Sequence, residues 1–239
     1  MSHINTGNYI GHCRYWALVC ITLLLTLSIG DRATLSVAGP HMQKDLGLDA
    51  IQLGWLFSIF GWSYAVGHAP AGWISDKLGI KKTIIGALLL WSLLTIFMGF
   101  VNLLSYIFLA LLILRFLLGF MESPVAPSSG RVLAAWFPSQ DRGKAGAIFN
   151  CAQYLSLVIF TPFMGWLDYL FGWEHIFWVM GGLGICVVFF IQKILYLPTT
   201  HPTITGAEFE YIKKGGGIVE MDSTEERERI KKKIPPIIN

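Results

Sequence analysis

The chain has 239 residues, is 54% hydrophobic and 14% charged, and carries a formal net charge of +3. A soluble domain holds about 25% charged residues. A mean hydropathy of +0.57, with the apolar residues gathered in long blocks, therefore excludes an ordinary soluble core in favour of a polytopic membrane protein. The net charge is too small, and too confined to the breaks between blocks, for nucleic-acid binding; the basic residues suit the cytoplasmic face of a membrane.

In chain order, a polar stretch (1–14) precedes six apolar segments at 15–38, 51–74, 82–101, 104–126, 146–170 and 173–197. Each approaches the roughly 20 residues a helical span needs. The first lacks a small-residue cleavage site and reads as a retained span, not a signal peptide. After His201 the composition turns to Glu, Lys and Arg, with Gly215, Gly216 and Gly217 as an interruption and an almost wholly charged run at 225–233. This predicts an exposed, partly helical or disordered segment over 198–239.

Orientation follows from Lys and Arg. The breaks after segments two and four hold Lys77, Lys81 and Lys82, then Arg131, Arg142 and Lys144. The opposite breaks hold Lys44 alone. Both ends are thus expected in the cytoplasm of a multi-pass membrane protein. Cys13, Cys20, Cys151 and Cys186 have no CxxC or metal-ligand spacing and are expected as free thiols packed in helices. No metal site and no cofactor is expected.

Ionisable residues inside apolar segments carry the functional signal. Arg115 and Glu122 lie seven residues apart, nearly two turns, and so project from one face of a helix. A charge at membrane depth costs roughly 2.5–3.5 kcal/mol and must face protein or water, which marks ion or substrate pathways. A buried pair that only holds helices together is the alternative. Asp31 and Arg32 form a second pair. Adjacent helical residues point about 100° apart, so the two can serve different partners. An arginine facing a cavity suits a carboxylate through bidentate hydrogen bonds, and an aspartate in a low-dielectric site can hold a proton. Mutual neutralisation is the plainer reading.

The run Gly72-Trp-Ile-Ser-Asp76-Lys77-Leu-Gly79-Ile-Lys81-Lys82 follows segment two. Gly72 is expected to permit close helix packing and Gly79 a tight turn. Asp76 is expected to sit at a helix terminus or pair with a cation from a neighbouring helix, latching one conformation. A basic stop-transfer turn would need less. Spacing and the two glycines together resemble the signature loop of the major facilitator superfamily. Arg115 with Gly119, Glu122, Pro124 and Pro127 is similar to the anion:cation symporters within it. Asp31–Asp49, Arg131–Phe137, Pro138–Gly143, Ile148–Tyr154, Gly172–His175 and the tail from His201 to Asp222 resemble the bacterial glucarate/galactarate permeases.

That resemblance implies an all-α integral membrane fold: six transmembrane helices over 15–197, arranged as two three-helix repeats, forming the N-terminal half of a twelve-helix protein. On that expectation 198–239 begins a central cytoplasmic loop and a C-terminal six-helix half is missing. It implies proton-coupled symport of a sugar acid, with the proton as coupling ion. Asp31 and Glu122 match the proton-carrying positions, Arg115 the arginine that tunes them, and Arg32 the carboxylate ligand. Tyr64 and Gln153 match groups lining the sugar-acid site, Tyr64 with a packing role as the alternative. Gly72, Asp76, Lys77, Gly79, Lys81 and Lys82 match the latch loop. Expected partners are a small organic anion and the bilayer. Ser28-Ile29 stands where relatives often carry Asn-Tyr, which puts the particular sugar acid in question. Another organic anion such as a hexuronate or galactonate, or an inactive remnant serving as a membrane interaction protein, are the rivals. A membrane hydrolase lacks a paired catalytic motif. His68 is open between cavity and packing roles, and Trp16, Trp136 and Trp173 are expected in the aromatic belt.

Overall fold

A computed structural model describes residues 11–222. Among these, eight α-helices and one 3₁₀ turn occur: α1 (Cys13–Leu46), α2 (Ala50–Leu78), α3 (Ile80–Met98), the turn Val101–Leu103, α4 (Ile107–Glu122), α5 (Val125–Trp136), α6 (Ser139–Phe171), α7 (Trp173–Ile194) and α8 (Gly206–Lys214). Five stretches are long and apolar enough to cross a membrane, with α4 and α5 counted as one. The sixth, α2, has the length at 29 residues, but Gln52, Tyr64, His68, Asp76 and Lys77 lower its hydropathy.

The helices outrun the apolar segments, because in lipid an unmade backbone hydrogen bond costs several kcal/mol while continuing the helix satisfies it. α1 runs on past Ala38 and through Pro40 to Leu46. It stops at Gly47, whose φ of +65° lets its N–H reach the Gln43 carbonyl in a left-handed cap. α2 opens two residues later with a reciprocal capping box: Gln52 N–H donates to Asp49 at 2.6 Å, and Asp49 N–H to Gln52 at 3.0 Å. Lys81 and Lys82 lie in the first turn of α3, and Arg131, Arg142 and Lys144 lie inside α5 and α6, not in open breaks.

α4 and α5 divide at Ser123-Pro124. Pro124 and Pro127 each remove an N–H from the ladder. The Ser123 hydroxyl takes up the orphaned Phe120 carbonyl at 2.8 Å, so the chain bends without leaving helical dihedrals.

Packing is reciprocal. Taking α4 and α5 together, the first helix of each set of three packs on the second of the other (α1 on α6, α4 on α2), and the third on the third (α3 on α7). Glycines set the approach. A Cβ on Gly119 would meet the Phe60 carbonyl of α2 at 2.6 Å; one on Gly181 would meet the Ser92 carbonyl of α3 at 2.6 Å. Gly72, expected at such a contact, is exposed and a Cβ there meets nothing within 4 Å; α2 turns that face out of this bundle.

The segment after α7 also departs from expectation over its described part. Residues 195–222 fold back as a strap across one end of the bundle, burying Ile204, Glu208, Ile212 and Val219. The Thr205 side chain caps α8 by accepting from Glu208 N–H at 3.3 Å. Glu208 then caps α1, accepting from Cys13 N–H at 3.3 Å and Arg14 N–H at 3.1 Å. Asp222 accepts the Ile80 N–H that opens α3 at 2.9 Å, and the Gly215 carbonyl accepts from Ser139 N–H of α6 at 2.8 Å. The charged run at 225–233 lies outside the described residues. Two belt assignments are corrected: Trp136 and Trp173 are buried, their indoles donating to the Tyr196 carbonyl and to Asp45. Trp16 is 53% exposed. All four cysteines are free thiols.

Gly119→Val should overpack the α2–α4 contact and cost about 1–3 kcal/mol, whereas Gly72→Ala should leave the chain's thermal midpoint in detergent unchanged. The reverse ranking would refute this assignment of the helix contact.

Candidate functional site

Asp31, Arg32, Arg115 and Glu122 meet inside the bundle. α4 brings its two through a buried stripe at i, i+3, i+4 and i+7: Arg115, Leu118, Gly119 and Glu122. α1 brings the others, and their 100° divergence sends them to different partners. Asp31 is 2% exposed and turns to α3, where the Thr95 hydroxyl lies 3.1 Å from each of its carboxylate oxygens. Arg32 turns the other way, its side chain 31% exposed. Its Nε donates to Glu122 at 2.8 Å, and its guanidinium lies over the rings of Tyr64 (4.3 Å) and Phe60 (5.5 Å) of α2. The Ser28 hydroxyl, one turn before Arg32, also donates to Glu122.

Asp31 and Arg32 therefore do not simply neutralise each other, and Glu122 takes its ion pair from α1 and not from Arg115 of its own helix. Arg115 is 2% exposed, lies over Phe60 at 5.6 Å, and exerts its charge on both carboxylates. Arg115 Nε and Glu122 Oε2 are buried without a hydrogen-bond partner. Two carboxylates and two guanidiniums give a cluster that is neutral when all four are ionised. Its polar atoms are only partly satisfied, an arrangement ready to accept a proton or an anion.

Tyr64 belongs to this group through Arg32. Its carbonyl accepts from His68 Nδ1 at 2.8 Å, and the two rings meet edge to face at 4.4 Å, which makes His68 a packing partner of Tyr64. Gln153 stands apart: its amide donates to Asn150, one turn earlier on α6, at 3.2 Å, and no hydrogen bond joins it to the four charges. In the loop after α2, Arg131 Nη1 of α5 donates to Asp76 at 2.5 Å and to Ser75 at 3.2 Å. Gly79, at φ +91°, closes α2 and opens α3. Lys77 lies over Trp73, and Lys81 over Tyr196 at 3.6 Å; Lys82 follows on α3.

Sequence reasoning missed Thr95, Phe60 and the partnership of Ser28. Thr95 was within reach: Ser92 and Thr95 make a polar i, i+3 step in the otherwise apolar part of α3 after Thr83. Arg131 was counted only as a basic marker.

An all-helical bundle of membrane-spanning length with opposed charges paired within its apolar spans defines a multi-pass membrane protein. The family model of the Major Facilitator Superfamily matches residues 21–218, and the chain belongs to that superfamily. It is 44% identical over 226 residues to the probable galactarate/D-glucarate transporter GudP of Escherichia coli K12, covering 94% of this chain and 49% of that protein. It is 43% identical to GudP of Bacillus subtilis 168, over 93% of the chain and 50% of the relative, and 34% identical to a D-galactonate transporter of Escherichia coli O6:H1, over 91% and 50%. The chain thus spans about half the length of these curated relatives. Among solved structures it is similar in fold to the proton:xylose symporter XylE, with a TM-score of 0.72 at 14% identity over 94% of this chain and 54% of that one. It is also similar to a bacterial homologue of the lysosomal transporter Spinster, with a TM-score of 0.63 at 22% identity over 82% and 46%. Family and relatives point to a transporter and not to an enzyme.

Ser28→Ala and Thr95→Val each leave a buried carboxylate short of a donor and should cost about 1–3 kcal/mol. Thr26→Val, whose hydroxyl bonds only its own helix at Thr22, is the control. Thermal midpoints for the first two no lower than the control's would contradict the drawn bonding.

Proposed function

We propose that this chain supplies part of a proton-coupled symporter for a sugar acid of the glucarate/galactarate type, residing in a bacterial inner membrane with both ends of the chain on the cytoplasmic side. The observation that carries the reading is the balanced cluster of Asp31, Arg32, Arg115 and Glu122. A proton taken up by either carboxyl leaves the cluster with a net charge of +1. In a low-dielectric site that charge attracts an anion strongly, and a bound carboxylate in turn favours the proton. Proton and anion binding therefore reinforce each other, as symport requires.

In this reading Arg32 is the carboxylate ligand. Of the cluster's two cations it is the one that reaches the surface of the bundle, and it is held flat by Tyr64 and Phe60 while Glu122 occupies only its Nε. The remaining guanidinium N–H groups fit a bidentate carboxylate. Tyr64 borders the same surface and offers its hydroxyl to the substrate. Gln153 contributes to the hydroxyl-binding wall from α6, its amide shared with Asn150. Asp31, turned inward to Thr95, and Glu122, bound by Arg32, are the proton-carrying groups, with Arg115 as their common counter-charge. The Asp76–Arg131 pair latches the end of α2 to α5 in one conformation and opens in another, with Gly79 as the turn, Lys81 packed on the Tyr196 ring, and Lys77 and Lys82 facing anionic lipid. The substrate site closes against a second six-helix bundle, and alternating access is the rocking of one bundle against the other. The similarity to a D-galactonate transporter favours a monocarboxylate sugar acid as the second reading.

The test is proton-driven uptake of radiolabelled glucarate and galactonate into vesicles carrying the full-length transporter that contains this chain. Asp31→Asn and Glu122→Gln should each lower gradient-driven uptake at least tenfold, the size of losing a charge-assisted interaction of about 1.5–3 kcal/mol. Arg32→Lys should raise the substrate concentration for half-maximal uptake, because lysine lacks the bidentate fork. Wild-type, proton-dependent uptake by both carboxylate variants would refute the coupling role. Galactonate carried in preference to glucarate would select the second reading.

A further inference from the structure

Away from the charge cluster, a cavity of about 380 Å³ opens at the strap end of the bundle. It is lined by His12, Cys13 and Trp16 of the start of α1, Lys193 and Ile194 of the end of α7, and Tyr196, His201, Pro202 and Thr203 of the strap. We propose that this cavity binds the phosphodiester headgroup of an anionic membrane phospholipid.

Placement argues first. α1 and α7 are both of membrane-spanning length and composition, and the cavity lies where α1 begins and α7 ends, at the boundary between lipid and water. Trp16 is 53% exposed there, and an exposed indole at that depth sits among headgroups with its N–H available.

Chemistry argues second. Lys193 is exposed at the cavity and supplies a full positive charge. The hydroxyl of Tyr196 and the indole N–H of Trp16 supply neutral donors. His201 Nδ1 accepts from Thr203 N–H at 3.3 Å, which leaves its proton on Nε2. Burial lowers the pKa of His201, with Glu208 opposing and Lys81 adding, so at neutral pH the ring is a donor and Lys193 carries the charge. Among the described residues no Asp or Glu lines the cavity; both carboxylate oxygens of Glu208 are taken by Cys13 and Arg14 N–H groups.

The walls are fixed in advance. The Tyr196 carbonyl accepts from the Trp136 indole at 2.9 Å, Lys81 lies behind its ring at 3.6 Å, and His201 meets the rings of Trp136 and Tyr196 edge to face. One cation, several neutral donors and an aromatic rim on a preformed cavity suit a phosphodiester whose acyl chains lie along α1 and α7. A headgroup seated there would bridge α1, α7 and the strap.

The test uses the 239-residue chain in nanodiscs of equimolar phosphatidylglycerol and phosphatidylcholine, with retained lipids counted by native mass spectrometry on release. Wild type should retain phosphatidylglycerol in preference, and Lys193→Gln should lower that preference about fivefold, as for loss of one interfacial lysine. Lys44→Gln, at the far end of α1, should leave it unchanged. Equal retention of the two lipids would overturn the proposal, as would an equal fall in both variants, which would mean diffuse attraction. Complete displacement of the lipid by excess inorganic phosphate would overturn it in favour of a soluble phosphate ligand.

Discussion

The bond from Arg32 to Glu122 is the constraint around which the bundle is arranged. Glu122 is fully buried, and a carboxylate at that depth is tolerable only with a cation and hydrogen-bond donors in place. Its own helix cannot supply them: Arg115, two turns earlier, lies over Phe60. The cation must come from α1, and Ser28 and Arg32, one turn apart, deliver a hydroxyl and a guanidinium together. That fixes the rotation of α1 against α4. Once it is fixed, Asp31 has to face α3, and Thr95 is the residue that meets it. Three helices are thereby registered by the solvation needs of two carboxylates.

Close packing serves the same end. Lipid gives helices little hydrophobic reason to associate, so contact depends on shape and on polar bonds. Gly119 lies within the same buried stripe as Arg115 and Glu122, and its missing side chain lets α4 approach the backbone of α2 at Phe60 and Tyr64. The residues that bring α2 close are therefore those beside the aromatic pair on which Arg32 rests. Packing and site are one set of contacts. At the strap end, Glu208, Asp222 and the Gly215 carbonyl satisfy the backbone groups at the starts of α1, α3 and α6, so those three openings are tied to one segment.

The fold class and the four charges were legible because membrane burial makes both conspicuous: a 20-residue apolar run can be little else, and a charge within one demands a reason. The seven-residue step from Arg115 to Glu122 and the 100° step from Asp31 to Arg32 followed from helix geometry alone. What escaped was anything set by tertiary partners. The first apolar segment read as ending at Ala38, yet α1 continues through Pro40 to Leu46. Gly72 read as a packing glycine because of its motif, yet the contact is made by Gly119 and Gly181. Trp136 and Trp173 read as belt residues from their places near segment ends, whereas each indole is buried against an acceptor that lies 60 and 128 residues away. The strap read as exposed because its composition is charged, but Glu208 is charged and wholly buried, its acceptor capacity used by a helix start nearly two hundred residues earlier.

The two carboxylates, finally, are not equivalent, and the difference has a direction. Glu122 is bound through Nε to the guanidinium of the cluster that reaches the surface, so an anion taken by the remaining N–H groups of Arg32 would weaken its hold on Glu122. Asp31 is bound to Thr95 on the helix that packs third against third with α7, away from that surface. An anion drawing Arg32 off Glu122 would strand a buried charge, which a proton on Glu122 relieves at once. A proton on Asp31 would instead alter what Thr95 can donate to, at the contact where Ser92 and Ile96 meet Gly181 and Gly184. On the proposed function, Glu122 would link proton and anion, and Asp31 would link the proton to helix packing, a division of labour that would follow from which way two neighbouring residues of α1 point.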